Sequence, residues 1–259
     1  MKFKIIFAAA ALLATQAFAI AGVGIHYSPN VGTTLKKADR TPIEGTNGKL
    51  HLSHGDFDFI QGFGIKAWLD ILPKIDIEAT FNLQFASYNA SLWTGDEEHG
   101  YNETPLSIEL SGVPFGKATP KYVAMNADIS VTYPFTIPIP FFPLRPYIGA
   151  GVTMYLNTFI VNNQFLTNVY NRAKEEKMDG MPTDEQELAK ELAKKVADVA
   201  KDEGLNKSIG FHLLAGARFK LPLIPIAAYA NVKCYFGGDY DADIDPGHFA
   251  FEIGGGFAL

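Results

Sequence analysis

The chain has 259 residues, of which 47% are hydrophobic and only 19% charged, with 24 Gly, 15 Pro and a single Cys. That composition excludes a disordered chain, and the lone Cys234 excludes an intramolecular disulfide framework or a thiolate metal cluster. The formal charge is −6 with no basic block, which argues against a nucleic-acid partner.

Residues 1–19 read as an export signal. Lys2 and Lys4 precede the apolar run Ile5 to Leu13, and Ala17-Phe18-Ala19 is a small-x-small cleavage site, so the mature domain is expected to span 20–259. The run is short for a membrane-spanning helix, although an N-terminal anchor is the alternative. Losing two lysines moves the charge from −6 to −8. No other segment offers an uninterrupted apolar stretch of about 20 residues.

The mature chain has a period of two. It opens with Ala21, Val23, Ile25 and Tyr27 alternating with Gly22, Gly24 and His26. Phe57 to Ile71 and Ile75 to Phe85 then form a pair of alternating segments around a Leu72-Pro73-Lys74 turn. In the second, Ile75, Ile77, Ala79, Phe81, Leu83 and Phe85 oppose Asp76, Glu78, Thr80, Asn82 and Gln84. The pattern recurs at 123–133, 147–157, 209–219, 226–236 and 249–259. Eight strands result, most of them near or above the ~9–11 residues a tilted strand needs to cross a bilayer.

Connection lengths alternate. The links at 72–74, 134–144 and 221–225 are tight or proline-rich, whereas 30–53, 90–119, 160–206 and 238–247 are long and polar. An up-and-down barrel with that order carries all short turns on one rim and all long loops on the other. Leu106, Ile108 and Leu110 alternate within the second loop and would allow an extra hairpin arm.

Alternation alone does not say which face points inward. A lipocalin-like soluble barrel would enclose the apolar face. Three features favour apolar-out. The polar face mixes glycines such as Gly149 and Gly151 with Trp68, Tyr147, Tyr155 and Tyr229, as a narrow lumen requires. It carries both signs of charge: Lys66, Arg145, Arg218, Lys220 and Lys233 against Asp70, Asp76, Glu78, Asp128 and Glu252. Aromatics of the apolar face fall near strand ends, including Phe57, Phe59 and Phe211 at one rim and Tyr133, Phe219 and Phe257 at the other. A basic residue on the lipid face at mid-depth costs about 2–4 kcal/mol, which decides the register.

Mature residues 20–259 resemble the small eight-stranded outer-membrane barrel superfamily of OmpA/OmpX/OmpW-like barrels. The resemblance rests on the paired strands 57–85, the Pro-Tyr-Ile-Gly-Ala-Gly run at 146–151 and the final strand Phe251 to Leu259, although the family's last residue is usually aromatic. It implies an all-β, eight-stranded antiparallel up-and-down transmembrane barrel, exported to the bacterial outer membrane. The implied partners are outer-membrane lipid and, through the C-terminal strand, the outer-membrane assembly machinery.

Candidate sites follow from the register. Lys66, Glu78, Asp128, Arg218, Lys233 and Glu252 are expected to form a lumen ion-pair network, since eight strands leave an interior just wide enough for side chains. A gated conduit is the alternative. Within 160–206 a helix is expected over about 184–203, with Thr183 as cap and Leu188, Leu192, Val196 and Val199 as an apolar contact stripe. That stripe meets either a surface partner or the barrel's own rim. Asp239, Asp241, Asp243 and Asp245 are low-affinity calcium candidates, yet Ile244 and Ala250 occupy the glycine and glutamate positions of an EF-hand loop, so a solvated acidic loop is the simpler reading. His26, His54 and His248 fall on neighbouring strands and would make a metal site only if they shared one height. Ser87 is the only outward serine on these strands and no Gly-x-Ser-x-Gly elbow occurs, so enzymatic chemistry is not expected. The sequence thus points to a non-enzymatic outer-membrane barrel that needs no cofactor and acts through its surface loops on an extracellular ligand or partner. An OmpW-like narrow channel or carrier for small amphiphilic solutes is the second reading.

Overall fold

The computed structural model describes residues 21–258 except 73, 107–120, 136–143, 177–183, 204 and 222–223. The expected leader at 1–19, the apolar link at 136–142, and Ile108 and Leu110 lie outside the described residues. In chain order the strands are β1 (Ala21–Tyr27), β2 (Asn30–Leu35), β3 (Ala38–Pro42), β4 (Leu50–His54), β5 (Phe57–Leu72), β6 (Ile75–Ser87), β7 (Ala90–Asp96) and β8 (Gly100–Pro105). β9 (Lys121–Pro134) and β10 (Leu144–Asn157) follow, then helices α1 (Asn163–Glu176) and α2 (Glu185–Glu203). β11 (Asn206–Lys220), β12 (Ile226–Gly237), β13 (Ile244–Asp245) and β14 (Phe249–Ala258) complete the described chain.

Eight of these strands close into an antiparallel barrel in the order β1-β14-β12-β11-β10-β9-β6-β5, with β5 returning to β1. Closure comes from β1, whose Val23 lies opposite both Phe257 of β14 and Ala67 of β5. Each barrel strand follows the period of two. On β6 every even residue from Asp76 to Ala86 is buried, while the odd residues from Ile75 to Leu83 are exposed. Both ends of the described chain and the β5–β6 junction lie at one rim, as Gly22 pairs with Ala258, Ala21 with Leu69 and Leu72 with Ile75.

The first strand is longer than its alternation indicates. β2 continues β1 between the same two neighbours, pairing Asn30 with Ala250 and with Ile60. The interruption is Pro29, which has no amide hydrogen to give the ladder. Just beyond it Gly32 takes φ +93°, where the register shifts between Val31 and Leu35.

Two of the four long connections are not loops. β4 and β7 carry the β5–β6 hairpin past the barrel rim, with Leu50 opposite Thr94 and His54 opposite Ala90. β3 and β8 flank them, giving a second, four-stranded sheet in the order β3-β4-β7-β8. These strands are five to seven residues long and bury polar side chains such as His54 and Thr94, which hides their alternation.

The third connection holds two helices, a correction to the single helix expected near 184–203. Asn162 caps α1 by accepting a hydrogen bond from the Phe165 amide (2.9 Å). The helix buries Phe165, Leu166, Val169 and Ala173. α2 is capped by Asp184, whose Oδ1 accepts from the Glu187 amide (2.9 Å); Thr183, the expected cap, lies outside the described residues. Leu188, Leu192, Val196 and Val199 are all buried, against α1 and β7.

One apolar core joins these parts. It runs from Ile60, Tyr122 and Ala124 at the long-loop end of the lumen, through Leu50, Leu52 and Leu92 of the second sheet, to the buried faces of both helices. Phe57, expected in an outward girdle, belongs to this core and stacks on Tyr122 (5.5 Å between ring centres). Asp58 and Phe59 both face out, so the alternation slips between Phe57 and Ile60. Each leucine buried here contributes about 1.5–3 kcal/mol relative to exposure, enough to hold the long connections as a folded cap.

Candidate functional site

The barrel interior is polar because the even residues of β6 and β9 and their counterparts point into it. Four cations and five carboxylates meet there among the described residues. Starting at the short-turn rim, Arg145 bonds Asp70 (2.9 Å) and Asp76 (3.1 Å). Asp70 also accepts from Arg218 (2.9 Å), whose second nitrogen reaches Glu78 (2.7 Å). Glu78 accepts from Lys66 (3.0 Å), and Lys66 lies 3.0 Å from Glu252. Glu252 in turn is 2.6 Å from Lys233, which bonds Asp128 (2.7 Å). The pairs form one chain of alternating charge.

Neutral groups complete it. Asn231 donates to Glu252 (2.7 Å) and accepts from the Tyr147 hydroxyl, and Tyr235 donates to Asp128 (2.9 Å). His26 sits between Asn82 (2.6 Å) and Tyr229 (3.0 Å). The Arg218 guanidinium stacks on Trp68, 4.6 Å from the ring centre. The Trp68 ring in turn occupies the space a side chain at position 22 would need, which explains Gly22. Lys66, Lys233, Glu78 and Glu252 are fully or almost fully buried. Burial on this scale persists only where each ion has partners.

Sequence reasoning put Asp70, Asp76 and Arg145 on the polar face but did not join them to the six network residues. The signal was their shared end of the barrel, next to the tight turns. It did not find the polar clamp at His212 either. That imidazole lies between Ser130 (2.8 Å) and Thr153 (2.8 Å). Ser130 and His212 have the reach of a nucleophile and its base. Both ring nitrogens face hydroxyls, however, and all three side chains are buried inside the barrel.

The other candidates are placed differently. Asp241 and Asp243 serve the cap: Asn162, the cap of α1, donates its amide to Asp241 (2.8 Å) and to Asp243 (2.9 Å). The Ile160 amide adds a bond to Asp241 (3.3 Å). Asp239 works through its backbone, its amide donating to Ser208 (2.7 Å), and Asp245 is in β13. No group of three potential metal ligands forms among the described residues. The three histidines have separate surroundings: His26 in the lumen, His54 bonded to the Gly55 carbonyl (2.9 Å) in the second sheet, His248 bonded to the Tyr235 carbonyl (3.1 Å) before β14.

Burial raises the Asp241 carboxyl above its ordinary range, outweighing the hydrogen bonds it accepts. A carboxyl whose folded pKa is raised disfavours folding once ionised, so the cap gains stability as pH falls from neutral toward the ordinary carboxylate pKa. Hydrogen exchange over 160–176 is therefore expected to slow between neutral pH and about pH 4 after correction for intrinsic rates.

These features define the chain as a closed eight-stranded up-and-down β-barrel with an ionic interior and an apolar exterior. No family model matches it, and no curated relative matches it. Among solved structures it is similar to the N-terminal β-barrel domain of Pseudomonas aeruginosa OprF, at 11% identity over 93% of this chain and 99% of that one, with a TM-score of 0.40. It is also similar to Ail, the attachment invasion locus protein of Yersinia pestis (8%, 93% and 99%, TM-score 0.40), and to Neisserial surface protein A (10%, 94% and 97%, TM-score 0.42). At these values the strand pairing remains the ground for the fold.

Proposed function

We propose that this protein spans the bacterial outer membrane as a non-enzymatic barrel and acts through the folded cap on its long-loop rim. One observation carries the reading: large apolar side chains cover the outside of the cylinder while the ions are inside. Ile25 (71% exposed), Ile129 (66%), Ile209 (71%) and Ile253 (64%) stand out from four different barrel strands. A belt of that kind is unfavourable in water and favourable in hydrocarbon. The last strand, β14, is the segment offered to the assembly machinery. The cap gives the surface role its substance, because its core orders the connections into a sheet and two helices with a defined outer face. There Arg40 stacks on Tyr101 (3.4 Å to the ring centre), beside Trp93 and His51.

The channel reading is disfavoured by the ion-pair chain that crosses the lumen and by the apolar core above it. Arg218→Ala separates the two. It removes two ion pairs and the stack on Trp68, so the barrel is expected to lose stability while planar-bilayer conductance stays near the wild-type level. A stable variant that conducts freely would support the channel. Cell fractionation with boiled and unboiled gel samples tests the membrane reading. A faster-migrating unboiled form in the outer-membrane fraction is expected, whereas equal migration of a soluble periplasmic protein would overturn it.

A further inference from the structure

We propose that the lumen holds one monovalent alkali cation on Asp128, at the inner end of its chain of ion pairs. The site goes beyond the surface role proposed above and does not depend on it. It follows from how the charges are shared. Each cation of the chain lies between two carboxylates, as Arg145 does between Asp70 and Asp76, and Lys233 between Glu252 and Asp128. Among the described residues Asp70, Glu78 and Glu252 each pair with two cations, whereas Asp76 and Asp128, the two ends of the chain, pair with one. With each cation divided evenly between its partners, the inner carboxylates are neutralised and each end keeps half a negative charge. Both ends also keep an oxygen without a hydrogen-bond partner among the described residues, Oδ2 of Asp76 and Oδ1 of Asp128.

The two ends differ in burial. Asp76 is the second residue of β6, at the short-turn rim, and its partner Arg145 is partly exposed there, so solvent can complete that end. Asp128 is mid-strand on β9 and buried, and its one cation, Lys233, is fully buried. Its Oδ2 already accepts from Lys233 (2.7 Å) and from Tyr235 (2.9 Å), so the open position is at Oδ1. Neutral oxygens are placed around it. Thr80 is the register partner of Asp128 across the β6–β9 pair, is 4% exposed, and its hydroxyl has no partner among the described residues. The Tyr155 hydroxyl, also buried and unpartnered there, is on β10 two residues from Thr153, the register partner of Asp128 on its other side. Water alone would satisfy the hydrogen bonds but would leave the charge, which is costly at this depth. A hard monovalent cation answers both needs, since carboxylate, hydroxyl and water oxygens are the ligands such ions take. A divalent ion would overshoot the residual charge. The site uses one carboxylate and neutral oxygens, so it lacks the three acidic or imidazole ligands that mark other metal centres. The ion would be enclosed as the barrel closes, with the chain of ion pairs on one side and the apolar core of the cap on the other.

The test is refolding from urea into zwitterionic detergent micelles, with sodium chloride exchanged stepwise for choline chloride at constant ionic strength and tryptophan fluorescence reporting the folded fraction. Above half-saturation, each tenfold increase in sodium is expected to raise the folding equilibrium constant about tenfold, the limit for one bound ion. Asp128→Asn is expected to abolish that dependence. Should this variant fail to fold, Thr80→Val, which keeps the side-chain shape and removes one oxygen, is expected to move half-saturation several-fold higher. Asp76→Asn, at the rim end of the chain, is expected to keep the full sodium dependence. Crystals of barrel refolded in thallium(I) nitrate are expected to show an anomalous peak bonded to Asp128 Oδ1. Equal folding constants in sodium and in choline would overturn the proposal, leaving water, or a proton on the neighbouring His212, to complete the carboxylate. A sodium dependence that Asp76→Asn removes, or that both Asp128→Asn and Thr80→Val leave untouched, would also overturn it, by placing the ion elsewhere.

Discussion

Replacing Glu252 with alanine is expected to remove about 3–5 kcal/mol from the stability of the reconstituted barrel, the cost of breaking a buried charge pair from one side. Glu252 joins the two fully buried lysines of the lumen chain. It touches Lys66 at 3.0 Å and Lys233 at 2.6 Å, and it accepts from Asn231. Each lysine keeps one other anion, Glu78 or Asp128, so neither is stranded outright. Each nevertheless loses one of its two carboxylate partners in a fully buried site. Glu252→Gln preserves the volume and an acceptor, and its cost should be clearly smaller. Urea unfolding in lipid vesicles, followed by the loss of the fast-migrating gel form, measures both. A loss below about 1 kcal/mol for Glu252→Ala would place it with solvent-exposed pairs, and the lumen would then have to be wet.

The barrel was legible because its two faces differ at every second residue over ten or more residues. A slip by one position would put Glu78, Asn82 and Gln84 on the outside together, so the pattern has a single acceptable register. The membership of the lumen network was legible for the same reason, but its pairing was not. Which cation meets which carboxylate depends on strand tilt: Arg218 of β11 reaches Asp70 of β5 and Glu78 of β6 across the lumen. The cap was the least legible part. β4 offers only Leu50 and Leu52 against His51 and Ser53, too few alternations to stand apart from a polar loop. α1 hides its stripe of Phe165, Leu166, Val169 and Ala173 in a segment whose first turns carry Asn163, Thr167, Asn168 and Asn171, all weak helix formers. It is held by tertiary contacts and by the Asn162 cap. The aspartates of 239–245 carried a cation-site signature because the sequence does not reveal that Asn162 sits opposite two of them.

Leu192→Asp tests whether the cap is a unit distinct from the barrel. The side chain is 1% exposed within the apolar core that joins α2, α1 and the second sheet. Removing a buried leucine costs about 2–5 kcal/mol by itself, and the introduced carboxylate has no cation in that core, so the total should exceed about 4 kcal/mol. The lumen ions and the outward belt make no use of Leu192. The expected result is therefore a barrel that still migrates in a heat-modifiable way while trypsin cuts within α2, at Lys190 and at Lys195, whose ion pair to Glu176 of α1 is released. Cutting should be at least ten-fold faster than in the parent, a difference of about 1.4 kcal/mol in the opening equilibrium, which is well inside the expected loss. The point of coupling is Ile60, Tyr122 and Ala124, which belong to barrel strands yet line the cap core. If those contacts are needed to close the cylinder, the variant will lose its fast-migrating form together with its protease resistance, and the cap must then be counted as part of the barrel's own folding unit. If they are not, the surface of the cap is free to vary while the ionic lumen and the lipid-facing belt keep the barrel closed.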